Sequence, residues 1–243
     1  MRLIKLDAID STNSYLRQLY ANEATEDYTC VLAKLQTKGR GQMGTVWESE
    51  SSKNLTCSIL KTFSVYTMDK SFYVSMVVAL AIIKSLEAFS IPKLQIKWPN
   101  DILSEQMKIC GVLIENVIKH NQIDASIIGI GLNVNQTTFN HLPKASSLKL
   151  LTGTTYNLEE LTVTLLGYLK KYFSILQSGA IHALKAEYES YLFRKNKPST
   201  FTNEEGVLFS AYIQGVTNTG ELKLLLEDNI VKTFSLKEVT LLY

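Results

Sequence analysis

Two hydrophobic rhythms alternate along the chain, and their order predicts a mixed α+β fold. Leu3 to Ile9 alternates apolar and polar residues, the period-two pattern of a half-buried strand. Asp10-Ser11-Thr12-Asn13 then offers helix N-cap side chains, and Tyr15, Leu16, Leu19 and Tyr20 follow at helical spacing. Cys30 to Leu35 and Asn54 to Leu60 read as strands, separated by a glycine-punctuated loop from Thr37 to Thr45. Ser71 to Phe89 has the length and apolar content of a buried helix and stops before Ser90-Ile91-Pro92. Leu94 to Trp98 is strand-like and runs into the turn cluster Pro99-Asn100-Asp101. Ile109 to Ile118 and Ile123 to Val134 form a hairpin pattern around the polar tip Lys119-His120-Asn121-Gln122. Helical spacing fills Leu158 to Gln177 and Ile181 to Phe193.

From Lys195 onward the rhythm changes. Three or four short β-runs alternate with turn signals at Asn203-Glu204-Glu205-Gly206, Asn218-Thr219-Gly220 and Glu227-Asp228-Asn229. The pattern predicts two units: a mixed sheet flanked by helices in residues 1–193, and a small β-barrel in residues 194–243.

Composition narrows the picture modestly. Of the 243 residues, 46% are hydrophobic and 20% charged, enough apolar mass for a sizeable core. A net charge of +2 neither demands nor excludes a polyanionic partner. Cys30, Cys57 and Cys110 are widely spaced and form no Cys-x-x-Cys pair, which argues against a zinc site or disulfide framework and for a reducing compartment. His120, His141 and His182 lack ligand spacing. The most apolar stretch carries Ser75, Lys84, Ser85 and Glu87, so it reads as a core helix rather than a membrane span. The N-terminal residues alternate like a strand and show no signal peptide. The expectation is a soluble cytoplasmic protein with no membrane partner.

Four polar clusters interrupt the apolar pattern, each at a strand end or helix start, and each has two readings. Ser11-Thr12-Asn13 is a helix cap or a ligand contact. In the segment from Gln36 to Trp47, Gly39, Gly41 and Gly44 let the backbone approach a ligand and Arg40 adds a cation; the alternative is a flexible surface loop. It is not a Walker A loop, because no Gly-Lys-Ser/Thr follows. Lys97-Trp98-Pro99-Asn100-Asp101 is a proline turn with solvated charges, or a place where Lys97 neutralises phosphate and Asp101 holds Mg²⁺. Lys108, Gly111 and Glu115, followed by Gly129-Ile130-Gly131-Leu132-Asn133, are an edge lysine with a bulge, or a fourth wall of the same site. Physics alone supports an anion-binding cleft and names no substrate.

In their order and spacing the four clusters resemble the biotin–protein ligases. KGRGQMGTVW resembles that family's Gly-Arg-Gly loop, KWPND is its most specific string, and Lys108-x-x-Gly111-Val112-Leu113-x-Glu115 and GIGLNVN resemble its next two segments. The resemblance covers essentially the whole chain. It implies a class II synthetase-like catalytic fold with a small SH3-like barrel. It also implies that biotin and ATP, with Mg²⁺, form biotinyl-5′-AMP, and that biotin then passes to a lysine of a biotin carboxyl carrier protein.

On this resemblance Ser11, Thr12 and Gln36 bind biotin's ureido ring, with backbone contacts from Gly39 and Gly111. Arg40 holds the biotin carboxylate and the adenylate phosphate, and Lys108 stabilises the reacting centre; these two are the catalytic candidates. Gly41, Gln42, Trp47, Lys97, Asn100 and Asn133 fall on the ATP side, and Asp101 is the metal candidate. Many family members carry further arginines in the Gly-Arg-Gly loop, where this chain has Gln42, Met43 and Thr45. Weaker retention of the adenylate is the expected consequence.

The catalytic pattern begins within the first dozen residues, so the reading includes no helix-turn-helix and no DNA partner. An exposed sheet edge can support a homodimer. Two rivals stand beside the main reading. One is a lipoate–protein ligase or octanoyltransferase, for which Cys110 would be the residue to check. The other is a non-catalytic biotin-binding module.

Overall fold

The computed structural model describes residues 2–140 and 142–243; Met1 and His141, the latter one of the three histidines considered above, lie outside the described residues. The chain runs β1 (Leu3–Ile9), α1 (Thr12–Asn22), β2 (Cys30–Gln36), β3 (Leu55–Thr62), α2 (Ser71–Ala88), β4 (Leu94–Lys97), β5 (Asp101–Ser104), β6 (Met107–Lys119) and β7 (Gln122–Leu132). Three helices follow, α3 (Leu148–Thr152), α4 (Leu158–Gln177) and α5 (Ile181–Ser190). The last segment holds β8 (Pro198–Asn203), β9 (Leu208–Val216), β10 (Leu222–Leu226), β11 (Val231–Phe234) and β12 (Val239–Leu242).

The first seven strands form one mixed sheet in the order β1-β2-β3-β7-β6-β5-β4. β1 and β2 are parallel, and the other neighbours are antiparallel. The two faces are covered unequally. α1 lays Leu16 against Val31, Leu60, Ala125 and Ile127 on one side. On the other side α2, apolar nearly all round, is enclosed by the sheet, α4 and α5. The helix Met68–Ala88 is long and apolar enough to cross a membrane, yet 72% of its apolar window is buried inside the fold, as in a core helix.

Of the two hairpins, β6–β7 forms around the predicted polar tip, whereas the pattern missed β5–β6. β5 begins on the last residue of the predicted turn cluster and carried no strand expectation, because four residues opening on Asp101 give too little alternation to detect. Its link to β6 is a tight turn through Glu105 and Gln106, with φ of 51° and 68°. The β6–β7 turn is similar, with His120 and Asn121 at φ 49° and 59°. Such turns usually announce themselves by Asn-Gly or Asp-Gly, and neither is present here. α3, five residues capped by Ser147 and ended by left-handed Gly153, is likewise too short to show a helical period.

The tail forms a second, antiparallel sheet of five strands rather than three or four, ordered β11-β10-β9-β8-β12. Its interior (Phe201, Ala211, Ile213, Leu222, Leu224, Val239) is continuous with the main core. Trp98 Nε1 donates to the Gly220 carbonyl at 2.8 Å, tying the β4–β5 turn to this sheet. The Glu189 carboxylate adds a second tie, accepting from the Val216 amide at 3.1 Å and pairing with Lys195 at 3.2 Å.

Candidate functional site

The strand ends and loops that carried the four clusters enclose one cavity of about 730 Å³. Ser11, Thr12, Gln36, Arg40, Gly41, Gln42, Trp47, Lys97, Asn100, Asp101, Lys108, Gly111 and Asn133 all line it. Gly39 does not. Its missing side chain instead makes room for the Trp47 carbonyl, 2.2 Å from where a Cβ would stand.

One end of the cavity is a closed hydrogen-bond network. Ser11 caps α1, accepting from the Ser14 amide, so the cap reading holds for that residue. The next two residues do more than cap. Thr12 donates from its amide and hydroxyl to Gln36 Oε1, at 2.8 and 3.0 Å. Ser58 Oγ, fully buried on β3, lies 2.7 Å from Thr12 Oγ1 and 2.6 Å from Asn13 Oδ1. Asn13 Nδ2 donates to the Leu113 carbonyl and to Glu115 Oε2, at 3.2 and 2.7 Å. Gly129 permits this, since a Cβ there would fall 2.5 Å from Asn13 Oδ1. Sequence reasoning missed Ser58, although a serine flanked by Cys57 and Ile59 in a strand was a signal.

The floor is made by a cross-strand glycine pair. Gly111 on β6 faces Gly131 on β7, and the Trp47 indole lies on both. A Cβ at Gly131 would sit 2.4 Å from the ring. The loop that delivers Trp47 is itself ordered: Trp47 N donates to the Gly39 carbonyl at 3.0 Å and Gly41 N to the Thr45 carbonyl at 2.7 Å. Met43 turns it with φ 56°. Trp47 Nε1 is buried against Gly131 with no hydrogen-bond partner.

The other end is charged. Register pairs Lys97 with Asp101 across the Trp98-Pro99-Asn100 turn. Lys108 Nζ lies 2.7 Å from Asp101 Oδ1 and Lys97 Nζ 3.8 Å from Oδ2. Despite the short ion pair, Oδ1 is outside hydrogen-bond geometry. Burial lowers the proton affinity of Lys97; Asp101 opposes this, and Lys108 and Lys144 add to it. Lys108 Nζ also sits 5.7 Å from the Trp47 ring. Lys144 and Tyr243 line this end too, and the clusters in the sequence pointed to neither.

Three candidates are occupied structurally. Arg40 Nη2 donates to Glu115 Oε2 at 3.0 Å and Ser14 Oγ at 3.2 Å, so its guanidinium is docked on Glu115 while its side chain lines the cavity. Asn100 Nδ2 donates to the Val112 carbonyl at 2.8 Å, and Asn133 Nδ2 to the Ser146 carbonyl at 3.0 Å. Both amide groups fasten loops. Cys110 is fully buried and absent from the cavity wall, and burial pushes its thiol far up. That is the opposite of an activated nucleophile.

Comparison with known proteins agrees with this geometry. The chain is 28% identical over 237 residues to the Bifunctional ligase/repressor BirA of Bacillus spizizenii, covering 96% of this chain and 72% of that one. It is 29% identical over 141 residues to the Biotin--[acetyl-CoA-carboxylase] ligase of Mycobacterium tuberculosis, covering 57% of this chain and 51% of that one. Its fold superposes on the biotin protein ligase of Aquifex aeolicus in complex with biotin and ATP with a TM-score of 0.82 and 25% identity, covering 99% and 98% of the two chains. Residues 6–133, more than half of the sequence, match a family model, and the chain belongs to the Biotin/lipoate A/B protein ligase family.

Proposed function

We propose that this chain is an ATP-dependent biotin–protein ligase that makes biotinyl-5′-AMP and transfers biotin to a lysine of a biotin carboxyl carrier protein. The observation that carries the reading is the two-ended cavity, with a neutral hydrogen-bond network at one end and converging lysines at the other. A ureido ring presents paired N–H donors and a carbonyl acceptor, which Thr12 and Gln36 on the wall match, with Ser58 behind them holding Thr12. A carboxylate and a triphosphate bring the negative charge that Lys97 and Lys108 answer.

In the first step a biotin carboxylate oxygen attacks the α-phosphorus of ATP. The bond to the β-phosphate oxygen breaks, and pyrophosphate leaves with its electron pair. Lys108 stabilises the charge that accumulates on the α-phosphate oxygens, and Trp47 with the glycine floor excludes water. Arg40 joins by exchanging Glu115 for the adenylate. In the second step the carrier lysine amine attacks the acyl carbon, loses its proton, and AMP departs. Mg²⁺ arrives with ATP as the magnesium nucleotide. Among the described residues no three His, Cys, Asp or Glu side chains gather to hold a resident ion. Asp101 Oδ1 suits a contact of one carboxylate plus phosphates.

Residues 1–193 would hold the catalytic unit and 194–243 the appended unit whose strands complete the cavity wall. An ATP-consuming enzyme with three free buried cysteines fits a cytoplasmic setting. Pyrophosphate release that needs both biotin and ATP tests the proposal, followed by biotinylation of a carrier domain with biotin, ATP and Mg²⁺ omitted in turn. A non-catalytic biotin binder releases no pyrophosphate. An acyl-cysteine route predicts that Cys110→Ser abolishes activity; the proposed route predicts that it survives.

A further inference from the structure

The charged end of the cavity holds more cations than the reacting centre uses. Lys97 and Lys108 share the Asp101 carboxylate. Lys144 lines the same end of the cavity, and among the described residues it forms no ion pair of its own. Its ammonium instead stands 3.9 Å from the centre of the Tyr243 ring, which is also 5.0 Å from Lys97 Nζ. The ring is fixed by an edge-on contact with Phe193, centroids 5.0 Å apart. The Lys144 carbonyl accepts from the Lys108 amide at 2.7 Å, so its backbone is held beside the lysine nearest the chemistry.

An aromatic ring attracts an ammonium without neutralising it, and it leaves the far side of that ammonium able to meet an anion. Three like charges at one end of a cavity, with a single carboxylate between two of them, repel one another until an anion joins them. Biotin's carboxylate and the α-phosphate engage Lys108. The β- and γ-phosphates carry the remaining charge, and among the described residues no other unpaired cation lines this wall.

We propose that Lys144 binds the β- and γ-phosphates of ATP, and that the Tyr243 ring is the positioning residue that holds its ammonium toward them. The inference rests on the ligase reading given above. As the bond between the α-phosphorus and the β-phosphate oxygen breaks, the electron pair moves onto pyrophosphate, and Lys144 meets the charge that develops there.

The two half-reactions separate this role from others, because biotinyl-AMP has no β- or γ-phosphate. With the full chain, Lys144→Met should raise the KM for MgATP in pyrophosphate release about tenfold, the size of one lost charge-assisted contact. Transfer from synthetic biotinyl-AMP to a carrier domain should stay at the wild-type rate. Tyr243→Ala should shift the same KM in the same direction by less, and Tyr243→Phe should leave it unchanged, since the ring and not the hydroxyl does the holding. An unchanged KM in Lys144→Met overturns the proposal. Equal losses in both half-reactions also overturn it, by placing Lys144 at the adenylate or in the fold. A wild-type chain that releases no pyrophosphate from biotin and ATP overturns the ligase reading itself, a result distinct from either.

Discussion

The two ends of the cavity are built on opposite principles. Around Thr12, Gln36, Ser58 and Asn13, buried polar groups satisfy one another before any ligand arrives. Around Asp101, Lys97, Lys108 and Lys144, charge is left unbalanced, and Arg40 is held away on Glu115. A hydrogen-bonded pocket buried in the sheet can be pre-shaped at little cost, because every donor already has an acceptor. A cationic pocket reaches its lowest energy only with its anion present. The neutral end therefore selects by shape, while the charged end selects by charge and rearranges on binding.

This contrast can be broken experimentally, and the largest effect belongs to the charged end. Lys108→Ala should cost about 2–4 kcal/mol of transition-state stabilisation in adenylation, read as kcat/KM for pyrophosphate release. An unchanged rate removes Lys108 from the chemistry. Gly131→Ala strikes the floor shared by both ends. The added methyl meets the Trp47 ring, and a loss of about 1–3 kcal/mol in unfolding free energy is expected, with a shift in tryptophan fluorescence. Wild-type fluorescence and stability would mean that the indole does not rest there.

The neutral end should respond more gently and more selectively. Ser58→Ala leaves the Thr12 and Asn13 oxygens without their buried partner, so the Kd for biotin should weaken by about 1 kcal/mol while the KM for ATP stays constant. A change in both constants would show that the two ends are not independent. Smaller again is the effect of loop charge. Gln42→Arg adds a cation on the cavity wall and should slow release of free biotinyl-AMP by up to about fivefold at low salt, fading at high salt. Equal release from the two proteins ends the idea that the loop retains its intermediate weakly for want of arginine.

The smallest effect is a titration. Burial lowers the proton affinity of Lys97, and the ammonium is the form that attracts phosphate. As pH rises, Lys97 loses its proton before an ordinary lysine would. ATP affinity should then start to fall at a lower pH in the wild type than in Lys97→Arg, whose guanidinium stays charged. Superimposable alkaline limbs would place Lys97 outside ATP binding.

Much of this was legible from residue order alone. Alternation located β1, and apolar β-type runs located β2, β3 and the long β6–β7 hairpin, because strands set against the core carry apolar side chains. Near-continuous apolarity marked α2 as the core helix. The four clusters were visible because polar and glycine residues at strand ends stand out against apolar neighbours, and the cavity joins residues from all four.

Tertiary structure alone decided which of those residues are free to act. Asn100 and Asn133 look equivalent to Thr12 in a string of letters, yet their amide nitrogens are bound to the Val112 and Ser146 carbonyls. Lys144 and Tyr243 belong to no local motif, and they reach the cavity only because the 142–146 segment and the second sheet converge there; Ser58 stands behind the wall, where β3 brings it against Thr12 and Asn13. A sequence determines local period, turn chemistry and the supply of charge, since those depend on neighbours along the chain. Which donor is already satisfied, and which cation is left without a counter-charge, depends on partners far along the chain, 102 residues apart for Asn13 and Glu115, and only the folded arrangement specifies them.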